Sequence, residues 1–427
     1  MNSGQLEQLM VEQNPQWRQG DVWVEKLFLQ RDIFGKLYEN LTKNRLIIAV
    51  NGPRRIGKSY LLKQFIAKLI QSGQALACNT LYISFSASTD EKEIVRQIID
   101  LFLTKYADRT RPAFVFFDEV QYLACWPDQV KAIYDLELPI KFVVTGSTSL
   151  FYGQKTRESL LGRIEKLALG VMNFKEYLRF KGLSQTVGNR ADFLTNLSLF
   201  RTEFCHFLFG GQLPELVIHT DIEPAKYLRD MVETLINFDV AYLYAKLDRT
   251  LFSNLVKSLS FSLASEFSVN KTAQELESDR PTISSYVQIL GEIGLFVPCL
   301  NGYFRRMRAK LSAVKKMYSL NTNLSLAVNG FDKSYLNDSR VLGAYAENYV
   351  YMRLADMYDR KIEYYSDRKR EADFLTADMV WEVKYGVAGD TIKYEQIAQK
   401  LHRKLTIVTE NEWDEEGQIR KLPIYLL

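Results

Sequence analysis

GPRRIGKS, residues 52–59, stands between the apolar run RLIIAV (45–50) and the amphipathic stretch SYLLKQFIAKLI (59–70). It fits the pattern G-x-x-x-x-G-K-[ST], and a loop between strand and helix is the setting in which that pattern wraps phosphates. Gly52 and Gly57 let the backbone close in, so that amides at a helix N-terminus face an anion. The expected cradle runs through Gly52, Pro53, Arg54, Arg55, Ile56, Gly57, Lys58, Ser59 and Tyr60. Lys58 brings a positive charge to the β- and γ-phosphates, and the Ser59 hydroxyl offers a ligand for Mg²⁺.

A second motif completes the chemistry. FVFFDEV (114–120) is an apolar strand that ends in two carboxylates. Charges at the end of a buried strand are costly unless they serve the C-terminal sheet edge, where α/β proteins bind ligands. Asp118 is expected to hold Mg²⁺ through water, and Glu119 to act as general base on the attacking water. The two motifs together predict a nucleoside triphosphate site that takes ATP with Mg²⁺.

Working outward, short apolar runs recur at TLYISF (80–85), AFVFF (113–117), KFVVT (141–145) and IEKLAL (164–169), with helical stretches between them. Near-continuous apolar strands suit a parallel sheet covered on both faces, which makes this an α/β doubly wound unit. KFVVT runs into TGSTS, where Thr145 and Ser147 are candidates for sensing the γ-phosphate and orienting water, with helix capping as the alternative. Arg163, just before the last run, is a candidate arginine finger in cis or in trans. For Arg163, Arg54 and Arg55 alike, the alternative is an ordinary surface ion pair.

GPRRIGKS, FVFFDEV, VVTGSTS, LLGR followed by ALGVMNFKEYL, and GGQLPE (210–215) together resemble a large prokaryotic family of AAA-type ATPases. Its members join a P-loop ATPase to a winged helix and a C-terminal restriction-endonuclease-like domain of the PD-(D/E)XK type. The resemblance implies an ATPase core at 1–182, a helical lid at 183–250, a winged helix at 251–325 and a nuclease-like α+β domain at 326–427. KKMYSLNTNL (315–324) departs from the family, which usually shows a strand ending in aspartate there.

In 265–296 two short helices flank a turn at Ser278–Arg280, and Pro281 opens the second. Ile283, Val287 and Leu290 are expected to face inward, with Thr282, Ser285 and Gln288 exposed, as in a helix-turn-helix. GYFRRMRAKLSAVKK (302–316) carries Arg305, Arg306, Arg308, Lys310, Lys315 and Lys316 and no acid, a basic hairpin suited to DNA phosphates. The alternative is a winged helix that serves as an interdomain scaffold.

Near the end, Asp373 in EADFL precedes Glu382 and Lys384 in VWEVK. Strand alternation puts Glu382 and Lys384 on one face. Asp373 and Glu382 form a nuclease-like Mg²⁺ cradle, with Lys384 and the helical Glu347 as its partners. The alternatives are a solvated edge strand or an inactive nuclease fold.

Composition excludes other classes. Of 427 residues, 47% are hydrophobic and 25% charged, which is globular rather than disordered. The net charge, 55 basic minus 51 acidic, is only +4, so nucleic-acid binding rests on local patches. Four scattered cysteines and three histidines give neither a zinc site nor a disulfide scaffold, and free thiols fit a cytoplasmic setting. No secretory leader or membrane-spanning run is visible. The functional expectation is an ATPase that couples nucleotide state to DNA-directed tail domains. The alternative is an ATP-dependent switch whose inactive nuclease-like domain binds a partner protein, with a homo-oligomer also open.

Overall fold

The apolar runs become strands where the pattern places them: β1 Ile47–Asn51, β2 Thr80–Ser84, β3 Ala113–Asp118, β4 Ile140–Gly146 and β5 Ile164–Ala168. This computed structural model describes the chain apart from residues 1, 21, 87–92, 147–158, 184–189, 242–243, 245, 304–314, 359, 368, 387–390 and 416–418. Contacts divide it into two units, Met1–Gly170 and Val171–Leu427.

In the first unit the five strands are parallel, in the order β2-β3-β4-β1-β5. Every residue of β1, β3 and β4 is buried, as expected of central strands covered on both faces. β4 lies between the strands that carry the two motifs, so its end at Thr145 separates the phosphate loop from Asp118. The sheet's exposed edge is closed by the N-terminal segment. The Asn14 amide donates to Tyr82 O (2.8 Å), and its oxygen accepts from Tyr82 N (2.7 Å). The Trp17 indole donates to Thr80 O (2.7 Å). These side chains occupy backbone groups of β2 that would otherwise template a further strand.

The second unit starts helical and ends in a sheet. Helices Phe174–Phe180 and Leu197–His206 meet the long helix Ser339–Met357 through stacked and edge-on rings. Phe204 lies 5.3 Å from Phe174, 5.3 Å from Tyr349 and 5.4 Å from Tyr425, centroid to centroid. GGQLPE packs tightly here: a Cβ on Gly211 would sit 2.6 Å from the Tyr177 ring. Gln212, fully buried, accepts from Thr322 N (2.9 Å) and donates to Thr322 Oγ1 (2.7 Å). Asn323 donates to Phe207 O (3.0 Å) and Leu208 O (2.6 Å). Within KKMYSLNTNL, Asn323 thus satisfies buried backbone carbonyls just ahead of GGQLPE, and Thr322 pairs with the Gln212 side chain.

Helix Arg249–Phe261 leads into β6 (Glu266–Phe267), helices Val269–Glu275 and Arg280–Glu292, and a hairpin of β7 (Phe296–Asn301) and β8 (Lys315–Ser319). Asp279 caps the second of these helices by accepting from Thr282 N (2.8 Å). Ile283, Val287 and Leu290 are buried and Ser285 and Gln288 exposed. β8 pairs antiparallel with both β6 and β7. β7 then pairs in parallel with β9 (Glu363–Ser366), so the hairpin continues into the C-terminal strands β10 (Glu371–Leu375), β11 (Met379–Lys384), β12 (Lys404–Thr409) and β13 (Arg420–Pro423). The result is one eight-stranded mixed sheet rather than two separate sheets.

Candidate functional site

The phosphate loop connects the buried strand β1 to helix Lys58–Gln71, and its glycines are needed for different reasons. A Cβ on Gly52 would lie 2.2 Å from Leu169 O and 2.5 Å from the Ile56 side chain, so no other residue fits. Gly57 has φ 96°, a left-handed conformation that side chains resist. Ile56 is buried and pins the loop from beneath. Lys58 is buried too, with Nζ donating to Gly52 O (3.0 Å) and Pro53 O (2.9 Å), inside the curve of the loop. Arg54 reaches across to the Tyr122 hydroxyl (2.6 Å), beyond the Asp-Glu strand. Arg55 takes a positive φ of 64°. Tyr60 carries the Lys26 ammonium 4.8 Å from its ring centroid.

The acidic pair is held from two strands. Asp118, at the end of β3, accepts from the Tyr82 hydroxyl on β2 (2.8 Å) and from the Thr145 hydroxyl on β4. The Thr145 oxygen in turn accepts from Glu119 N (3.2 Å). Thr145 thus joins the Asp118 carboxylate to the Glu119 backbone. Glu119 has φ 56°, which turns its side chain out of strand geometry, and its carboxylate accepts from the Gln121 amide. Burial raises the Tyr82 phenol strongly, with the Asp118 charge adding to it, and Ser59 is among its hydrogen-bonding neighbours.

These residues fit a nucleotide with Mg²⁺. The loop admits no Cβ at Gly52, the buried Asn51 Oδ1 at the loop's entrance has no hydrogen-bond partner among the described residues, and Ser59 and Asp118 offer a hydroxyl and a carboxylate as hard oxygen donors. Ser59 and Asp118 would hold the cation, which would neutralise phosphate charge.

Asp118, Glu119 and Thr145 are joined by hydrogen bonds at the ends of β3 and β4, and Lys58 and Ser59 open the helix after neighbouring β1, whereas Arg163 lies elsewhere. Its carbonyl accepts from Ile47 N (2.8 Å) at the start of β1, whereas the loop leaves the other end of that strand, about 13 Å away. Its guanidinium donates to both Asp135 oxygens (2.9 and 3.5 Å). Within its own chain, Arg163 makes the surface ion pair. Ser147 lies outside the described residues.

Two residues of this site escape sequence reading. Arg31, nearly buried, donates to Ile56 O (3.1 Å) and Gly170 O (2.9 Å) and braces the loop from below. Tyr82 positions Asp118. Both contacts link residues far apart in sequence and match no motif. The only available signal was a tyrosine in a strand that alternation left undecided.

The C-terminal carboxylates gather in the second unit. The Asp373 N–H approaches Glu382 Oε2 (3.4 Å), and Asp373 Oδ2 accepts from Val383 N (2.8 Å). Lys384 Nζ is 2.5 Å from Glu382 Oε1. Burial and the Asp373 charge push Glu347 up to about 8 and Glu382 up to about 7. Among the described residues, no three His, Cys, Asp or Glu side chains form a group that could hold a metal ion, so this set does not fit the expected Mg²⁺ as it stands.

Lys315 and Lys316, expected on the basic hairpin's phosphate-facing surface, are instead buried. Lys315 lies over the Phe267 ring (5.7 Å) and Lys316 among the carboxylates. Both sit in paired strand β8, whose neighbours cover their stems. Arg305, Arg306, Arg308 and Lys310 lie outside the described residues. All four cysteines are free, and no described helix is long and apolar enough to cross a membrane.

Residues 44–178 match the AAA domain family, and residues 201–335 match a domain family of unknown function. The chain is 26% identical over 363 residues to an uncharacterized protein of Methanocaldococcus jannaschii, covering 81% of this chain and 74% of that one. It is 23% identical over 281 residues to an uncharacterized protein of Haemophilus influenzae, covering 64% and 67%. Among solved structures it is distantly similar to the Aeropyrum pernix ORC1 protein in complex with DNA (TM-score 0.32, 12% identity, 74% of this chain and 94% of that one). It is likewise similar to PCH-2 of C. elegans (TM-score 0.29, 14% identity, 56% and 66%). The residues that match the AAA domain family, 44–178, include the five-stranded parallel sheet's β1 to β5 and the phosphate loop.

Proposed function

We propose that the chain binds and hydrolyses ATP at the loop Gly52–Tyr60 and uses the nucleotide state to work the second unit on DNA. The observation that supports hydrolysis is the Asp118–Thr145–Glu119 linkage, which ties the cation-binding carboxylate and the base to one hydroxyl beside the loop. In this reading Lys58 draws charge from the β- and γ-phosphates. Glu119 takes the proton of the attacking water, a role that contributes about 10²- to 10⁴-fold in rate. Arg163 is a finger only toward a neighbouring chain's nucleotide, which makes a homo-oligomer part of the reading.

The helix-strand-helix-helix-hairpin order within 249–319 supports reading a winged helix there, with the basic stretch 302–316 as its DNA contact. The C-terminal strands, with Asp373, Glu382 and Lys384, are nuclease-like. A second reading, in which this tail binds a partner protein and cuts nothing, is favoured by Lys316 among the carboxylates.

Supercoiled plasmid added to the intact protein tests both readings. Turnover should rise several-fold, the rise should fade with salt, and the plasmid should stay closed in Mg²⁺ or Mn²⁺. Turnover indifferent to DNA would count against the DNA reading. Nicking that disappears in Asp373→Ala and Lys384→Ala would establish an active nuclease.

A further inference from the structure

Lys316 belongs to β8 of the hairpin, while the acids around it come from elsewhere: Glu347 from helix Ser339–Met357, and Glu371 and Asp373 from β10. Its ammonium lies 2.7 Å from Glu371 Oε1, 3.3 Å from Glu347 Oε1 and 3.8 Å from Asp373 Oδ1, with only 6% of the side chain exposed. Further donors reach the same acids and the neighbouring Glu382. Glu347 Oε1 accepts from the Tyr318 hydroxyl (2.7 Å), Asp373 Oδ2 from Val383 N, and Glu382 Oε1 from Lys384.

Buried carboxylates need a counter-charge. Mg²⁺ would supply it through near-octahedral oxygens at about 2.0–2.1 Å. Here the protein supplies it instead, through two lysines, a phenol and backbone amides. In keeping with that arrangement, no three acids among the described residues are placed to hold a metal ion themselves.

We infer that Lys316 is the resident cation of this cluster, standing where a nuclease-like cradle would take a divalent ion, so that the native chain takes up none there. The inference rests on reading Asp373, Glu382 and Lys384 as a nuclease-like strand pair, and the ATP site does not enter it. One consequence is mechanical. The strand that leads out of the basic hairpin is clamped by charge to the C-terminal strands, so the hairpin and the tail move together.

Mn²⁺ binding to the full, nucleotide-free chain, followed by the electron paramagnetic resonance signal of the free ion, tests this. The native protein and Lys316→Arg should show no uptake that depends on Asp373. The charge-balanced double variant Lys316→Met with Glu371→Gln should take up Mn²⁺ about tenfold or more tightly than the native chain. Adding Asp373→Asn should abolish that uptake. Uptake by the native chain that is lost in Asp373→Asn would overturn the inference while strengthening the nuclease reading. A double variant that is folded by circular dichroism yet takes up no Mn²⁺ would overturn it and remove the cradle as well. Should that variant not fold, the native chain and Lys316→Arg still decide: Asp373-dependent uptake by either refutes the inference, and its absence supports it.

Discussion

Lys58→Ala loses ATP turnover, with kcat falling by about 10³-fold or more, the scale seen when a group aimed at developing charge is removed. The lysine is buried inside the loop, donating to Gly52 O and Pro53 O, which places its charge where the terminal phosphates belong. Truncation removes one donor from each of two loop carbonyls, a local change that the rest of the fold should tolerate. Steady-state turnover beside a thermal melt checks both parts. Lost turnover with an unchanged melt is the expected pair, and intact turnover would refute the assignment of the loop.

Phe204→Ala carries the largest expected effect on stability. Phe204 is fully buried and meets Phe174, Phe207, Tyr349, Tyr385 and Tyr425, rings drawn from the helical segment, the long helix and the C-terminus of the second unit. Removing a core aromatic costs about 3–5 kcal/mol. For a unit of this size that lowers the melting midpoint by roughly 10 °C. Because β7 pairs with β9, the hairpin and the C-terminal strands share one sheet, and the whole second unit should melt earlier as a body. In scanning calorimetry one transition should move and the other stay. Early melting of only part of the second unit would contradict the shared sheet.

The first unit was legible in the sequence because its signals are local. Five apolar runs, a glycine loop and an acidic strand end each lie within a few residues, and each appears where its pattern points. What stayed hidden depends on contacts across long stretches of chain. Arg31 reaches Ile56 and Gly170, and Tyr82 reaches Asp118, with no periodicity to mark either.

The second unit shows the same division. Asp373, Glu382 and Lys384 were visible through strand alternation, and the buried face of helix Arg280–Glu292 through its spacing. Lys316 was misread because it closes a run of basic residues, and such a run reads as solvated. Its burial follows from the pairing of β8 with β6 and β7, which no local pattern reveals. The parallel pairing of β7 with β9 likewise leaves no local signal, since it joins residues separated by more than a helix.

Calorimetric titration of the folded full-length chain with a slowly hydrolysed ATP analogue in Mg²⁺ bears most directly on the phosphate loop. The structure predicts a saturable heat at one site per chain, weakened or lost in Lys58→Ala. No heat from the native protein, with its melt confirming that it is folded, would contradict the assignment of Gly52–Ser59, Asp118 and Glu119 as a nucleotide site.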